Sequence, residues 1–191
     1  MIVRGIEIRR HDTPNFIKDF QSELLYTLFD CKNSTEIMSR GYENALLLVT
    51  RTIDKVMTGE LELKDLIVSK ILRQDLYKYR SLFPHVCAAL QLTEAGVPLT
   101  RGDIIQYIYI DAAHTNPLRR VMPLELIEGK GEEYDKDRYC EMLLEATENV
   151  LGYFGFDKSI YGHSSRNRNR KWWPALWQER TKDIETERSL G

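Results

Sequence analysis

Four cations crowd into eleven residues of this chain: Lys70, Arg73, Lys78 and Arg80, diluted only by Asp75. Five residues beyond Arg80 stands His85, in Phe83-Pro84-His85-Val86. Cations on rigid elements, spaced like backbone phosphates and helped by the free N–H groups of a helix start, are what phosphate binding requires. Proline suits the first helical position, so Pro84 marks such a start, and His85 is a capping or packing group or, when protonated, a phosphate donor. A solvated charged face explains the same cations equally simply. Arg166, Arg168, Arg170 and Lys171, with Asn167 and Asn169 between and Trp172 and Trp173 after, make a second basic run. Its arginines suit phosphates, and its tryptophans either stack on bases or anchor the tail to its domain.

Other chemistry is poorly served. Phosphate-loop and dinucleotide glycine patterns are absent, as is the Gly-x-Ser-x-Gly elbow. Asp111 and His114 are three apart, a spacing at which a metal can be shared, but they follow a strand signal and read as turn residues. The three cysteines, Cys31, Cys87 and Cys140, form no Cys-x-x-Cys pair and fit reduced, mostly buried thiols rather than zinc ligands. No metal ligands and no catalytic residues are expected.

The elements that must carry these residues are mostly helical. Met1 to Asp12 reads as a short β segment, and Thr13-Pro14 as a helix start with threonine capping. Phe16, Ile17, Phe20, Leu24, Leu25 and Leu28 give that helix one apolar face. Ser34 opens a second helix that Gly59 ends, making a helical hairpin. Leu63 to Arg73 reads as mixed and strand-like, Leu76 to Tyr79 as a helical turn, and Pro84 to Ala95 as a helix stopped by Gly96. Ile104 to Ile110 alternates as a strand, His114 to Leu118 turns, and Val121 to Ile127 is extended. Lys130 to Glu133 is a polar loop. Asp135 opens a last helix to about Phe154, with Tyr139, Met142, Leu143, Ala146, Val150 and Leu151 along one stripe. The predicted fold is mainly α with a small β element, an α+β domain over 13–158 preceded by a β segment 1–12. A basic, Trp-containing tail 159–191 follows, partly disordered towards its end.

With 191 residues, 42% hydrophobic and 29% charged, the chain can bury a core without disulfides. The net charge of −2 hides segregation between an acidic stretch, Glu125 to Asp137, and the basic Arg166 to Lys171. No signal peptide or membrane-length apolar run is present, so the expected location is cytoplasmic, with no membrane partner.

The order of short motifs resembles the palm edge and thumb of archaeal family B DNA polymerases. Arg4-Gly5-Ile6-Glu7 with Arg9, Arg10 and Asp12 looks like that family's palm edge, with His11 as an intrusion. Tyr79 to Val86 is similar to its Tyr-Lys-x-x-x-Pro-His-Val, with Arg80 in place of lysine. Gly96-Val97, Arg101-Gly102 and Tyr107-Ile108 match its loop and strand, Tyr134-Asp135 with Tyr139 its helix start, and Phe154-Gly155-Phe156 its Phe-Gly-Tyr ending. The resemblance implies a helical-hairpin thumb that grips primer–template double-stranded DNA through backbone phosphates. On that basis Ser69, Lys70, Arg73 and Arg80 are the leading DNA contacts, with Arg9, Arg10 and His85 next, and the tail cations as a further basic site. It also implies a partner, the catalytic palm and exonuclease portion, and a place in replication at the nucleoid. The family's Asp-Thr-Asp metal site and Lys-Lys-x-Tyr primer grip are not found, so magnesium is expected only in a separate palm. Alone, the chain would be inactive as a nucleotidyltransferase, whether an excised domain or the small subunit of a split polymerase. Tyr109-Ile110-Asp111 is no palm motif, since alanines follow. The Gln-x-x-Leu clamp-binding pattern is also wanting. The competing reading is a protein-interaction or regulatory subunit that docks on a catalytic chain through Phe20, Tyr26 and Phe29 without touching DNA itself.

Overall fold

The computed structural model describes residues 10–127 and 133–161. The expected β segment at Met1 to Asp12 lies almost wholly outside them, as do the greater part of the Lys130 to Glu133 loop and the basic tail. Contacts divide the chain into a compact unit, Met1–Phe156, and a second, Asp157–Gly191, whose described part holds the short turn Lys158–Tyr161.

Helix α1 (Asn15–Phe29) buries Phe16, Ile17, Phe20, Leu24 and Leu28, the apolar face expected from their spacing. Its start differs from expectation. Pro14 stands at the cap rather than inside the helix, and no side chain caps it. The second limb begins as α2 (Ser34–Glu36), where the Asn33 side chain, not Ser34, accepts the Glu36 N–H. It widens into a π turn over Ile37–Gly41 and continues as α3 (Tyr42–Thr58). Gly41 explains the close approach there: a Cβ on it would stand 2.6 Å from the Leu28 carbonyl oxygen and 3.0 Å from Cys31 Sγ. Gly59 ends α3 in the left-handed region, as a C-terminal glycine does.

The hairpin is completed by a third helix. α5 (Lys136–Leu151) packs on both α1 and α3 and buries Leu143, Leu144 and Val150 against them. Asp135 caps it by accepting the Arg138 N–H at 2.8 Å. The expected extension to Phe154 is a 3-10 turn, Gly152–Phe154. Gln21 ties α1 to α5, its amide donating to the Ala146 carbonyl at 3.0 Å in the interior.

Three antiparallel strands form the β element: β1 (Val68–Ile71), β2 (Ile104–Tyr109) and β3 (Val121–Pro123), in the order β1-β2-β3. The strand-like stretch from Leu63 thus divides into a 3-10 turn, Leu63–Asp65, and β1. The sheet packs on α4 (Pro84–Glu94) through Val68, Leu72, Ile105, Tyr107 and Val121 against Cys87, Ala88, Ala89 and Leu92. Tyr139 joins sheet to bundle. Its buried hydroxyl donates to the Leu66 carbonyl at 2.8 Å and accepts the Tyr109 N–H at 3.0 Å. The architecture is mainly helical with a small antiparallel sheet, and among the described residues no helix is long and apolar enough to cross a membrane.

Candidate nucleic-acid interface

The cationic residues converge where β1 leaves the sheet and α4 begins. The Arg73 backbone N–H donates to the Tyr79 hydroxyl at 3.0 Å. The Tyr79 ring meets the His85 imidazole edge to face, with centroids 5.6 Å apart, and Phe83 stacks on the same imidazole, with centroids 5.9 Å apart at an interplanar angle of 13°. Residues 73 and 85 are thereby fixed to one another through one tyrosine. Burial holds His85 below its ordinary pKa, and the nearby charges of Lys70 and Arg73 push it further down. The imidazole is therefore mostly neutral near pH 7.

The first turn of α4 supplies a backbone donor. Pro84 has no N–H, and those of Val86 and Cys87 both go to the Phe83 carbonyl, each at 2.9 Å. Among the described residues the His85 N–H has no acceptor, the situation in which a helix start accepts an anion. Arg73 and Arg80 are exposed, and among the described residues neither guanidinium makes an ion pair. Lys78 differs: its ammonium pairs with Asp75 at 2.7 Å and lies 5.3 Å from the centre of the Tyr77 ring.

Lys70 and Arg10 differ too. Both bind the Asp12 carboxylate, Arg10 through Nε at 3.2 Å. Burial alone would raise the Asp12 pKa, but hydrogen bonds and charge from Arg10 and Lys70 win and hold the carboxyl well below the usual range. This counter-ion was invisible in the linear pattern, because Lys70 lies 58 positions from Asp12. The three groups line a cavity of about 210 Å³ together with Tyr107, Tyr109 and Arg138. Arg138 is itself engaged by Glu141 and lies over the Tyr109 ring. The cavity is thus a site of mutual neutralisation rather than of open positive charge.

Ser69 parts company with Lys70. Neighbouring residues of a strand face opposite sides, and the Ser69 hydroxyl accepts a bond from Gln106 on β2 at 3.2 Å. Of the expected contacts, Lys70, Arg73 and His85 come together and Arg80 follows Tyr79 directly, whereas Ser69 faces the other way. Arg9, Arg166, Arg168, Arg170 and Lys171 lie outside the described residues. Asp111 and His114 belong to a turn, the His114 N–H donating to the Asp111 carbonyl at 3.0 Å. Among the described residues no group of three His, Cys, Asp or Glu is placed to hold a metal ion. Cys87 and Cys140 are buried free thiols, Cys140 pushed up to about 12 by burial and by acidic neighbours, and Cys31 is half-buried.

A fold does not by itself declare a function, but here sequence and fold agree. The family model for DNA polymerase family B matches residues 1–153, and the chain belongs to that family. The DNA polymerase of Pyrococcus glycovorans is 27% identical over 160 residues, which make up 83% of this chain and 19% of that protein. The DNA polymerase of Archaeoglobus fulgidus is 28% identical over 181 residues, covering 87% of this chain and 22% of that one. The structure of the family B DNA polymerase from the hyperthermophilic archaeon Pyrobaculum calidifontis superposes on 76% of this chain with a TM-score of 0.65. At 23% identity, and over 18% of that chain, it establishes likeness of fold. The chain spans about a fifth of the length of these relatives.

Proposed function

We propose that this chain is the palm-edge and thumb portion of a family B DNA polymerase, gripping primer–template duplex through phosphates during replication. The observation that carries the reading is the tie of Arg73 to His85 through Tyr79 at the start of α4, where among the described residues the His85 N–H has no acceptor and the exposed Arg73 and Arg80 make no ion pair. Such donors position a duplex without reading its sequence. Residues 1–12 would be the palm edge, 13–158 the thumb and 159–191 a basic tail. Nucleotidyl transfer and its magnesium ions would belong to the palm and exonuclease portion, the protein partner, at the nucleoid in the cytoplasm.

The test is fluorescence anisotropy of a labelled primer–template duplex titrated with the full chain at several salt concentrations, with a single strand as control. Duplex binding with a steep log–log salt slope, about 0.9 per phosphate neutralised, supports the grip. Absence of duplex binding at low salt refutes an autonomous grip.

A second reading has one observation in its favour. Tyr26 and Phe29 are exposed at the end of α1, 73% and 47%, which suits docking on a catalytic chain. Phe20, the third residue expected on that surface, is buried in the helical core and takes no part. Size-exclusion chromatography with and without a catalytic fragment, comparing wild type with Tyr26→Ala, separates this from DNA-mediated association.

A further inference from the structure

Beside the cations, the same segment leaves large apolar and aromatic side chains in solvent: Tyr77 is 82% exposed, Phe83 52% and Leu82 51%. Phe83 and Leu82 offer a phosphate no hydrogen-bond donor, and the Tyr77 ring, which has the Lys78 ammonium 5.3 Å from its centre, offers one only at its hydroxyl. They are nevertheless rigidly mounted. Phe83 closes the start of α4, its N–H donating to the Ser81 carbonyl at 3.0 Å while its own carbonyl takes two helix N–H groups. One side of its ring is turned to the near-parallel His85 imidazole, and half of the residue remains open. Tyr77 rides on the 3-10 turn Leu76–Lys78, which the Lys78 and Tyr79 N–H groups close.

Exposed flat rings among cations are the equipment with which proteins hold unpaired bases: the cations follow the backbone, and the rings stack on bases of any sequence. Bases inside a duplex are already stacked and paired, and reaching them costs unstacking, so such rings suit unpaired bases best. We propose that Tyr77 and Phe83 form a stacking platform for unpaired bases, so that the chain prefers DNA with a single-stranded overhang to blunt duplex. The inference rests on the DNA-binding reading of the neighbouring cations but assigns them a second class of ligand. Each stacked base is worth roughly 5- to 150-fold in affinity.

Three probes test it on the full chain by anisotropy at one fixed salt: a blunt duplex, the same duplex with a template overhang, and that overhang made abasic with its phosphates intact. The overhang is expected to bind at least about 5-fold tighter than the blunt duplex, and the abasic version to lose that gain. Tyr77→Leu should reduce the gain while leaving blunt-duplex affinity unchanged, and Phe83→Leu should reduce it too, with folding of both checked by circular dichroism. A 2-aminopurine in the overhang should be quenched by the wild type and less by either variant. A gain that survives the abasic substitution, or that persists undiminished in both variants, overturns the platform. Overhang binding without blunt-duplex binding would leave the platform standing and refute the duplex grip. Blunt-duplex binding with no overhang gain does the reverse, and no binding of any probe at that salt, chosen low, refutes both.

Discussion

Replacing both Arg73 and Arg80 by alanine isolates the part of the proposed grip whose guanidinium groups make no ion pair among the described residues. Each cation that neutralises a phosphate releases counterions and adds about 0.9 to the slope of log K against log salt. Removing two should lower the slope by about 1.8. Raising salt fourfold, from about 50 to about 200 mM, should then cost the wild type roughly twelve times more affinity than the variant. The fold should not notice. Both residues are exposed, and among the described residues neither guanidinium makes an ion pair, so the expected stability change is within about 0.5 kcal/mol, or 1–2 °C in a chain of this size. Arg51→Ala is a suitable control, being an exposed cation on α3, which packs on α1 and α5 rather than on α4. The assay is anisotropy on one duplex over a salt series, with thermal unfolding alongside. An unchanged slope in a folded double variant would refute the assignment of these arginines to phosphates. An equal fall with Arg51→Ala would show a general charge effect instead.

Three further outcomes follow from the geometry. Asp12→Asn should release the Lys70 ammonium, steepening the salt slope by up to about 0.9 when that cation finds a phosphate. Because the Asp12 carboxyl titrates below its ordinary value, the stability it contributes is present above the usual carboxylate range and lost as pH falls towards its lowered pKa. The variant should therefore show a shallower acid limb in denaturant-monitored unfolding. His85, held below its ordinary pKa by burial and by Lys70 and Arg73, leaves the folded chain binding fewer protons than the unfolded one, so its contribution to stability falls as pH drops through its ordinary pKa of about 6.5. A bound phosphate reverses that balance: duplex binding should tighten between about pH 7.5 and 6, the imidazole pKa followed by NMR should rise on adding DNA, and His85→Asn should remove both effects. Tyr139→Phe strands the buried Leu66 carbonyl and takes the partner from the half-buried Tyr109 N–H, and should cost about 2 kcal/mol in urea unfolding.

What could be read from the chain beforehand depended on the range of the interaction. The helices announced themselves locally: the apolar spacing of α1, the Asp135 cap and the left-handed stops at Gly59 and Gly96 need only their neighbours in sequence. The shift of the first cap from Thr13 to Pro14 is likewise a local matter, decided by geometry that residue preferences describe only on average. The π turn was not legible, for it falls where the backbone of α1 closes on Gly41, a contact between two helices that residue spacing does not show. The candidate site divides in the same way. Arg73, Arg80 and His85 stand close enough in sequence for their clustering to be evident. The loss of Lys70 to Asp12 and the opposite facing of Ser69 are set by the sheet and by the approach to α1. Tyr79, which fixes Arg73 against His85, was noticed as part of a family motif, but its task appears only when the hydroxyl's partner is seen.

Tyr139 has a mechanical consequence. One phenolic oxygen holds the chain just ahead of β1 and the end of β2, and the helix bearing it is wedged against α1 and α3. Tilting the sheet off the bundle would strip both bonds together and leave two polar groups dry. A pull on the edge of the sheet should therefore be passed to the helices as a turn of the whole body, like torque along a key, rather than dissipated in a local bend. Amide exchange at Tyr109 should consequently keep pace with exchange in the middle of α5, since neither can open without the other.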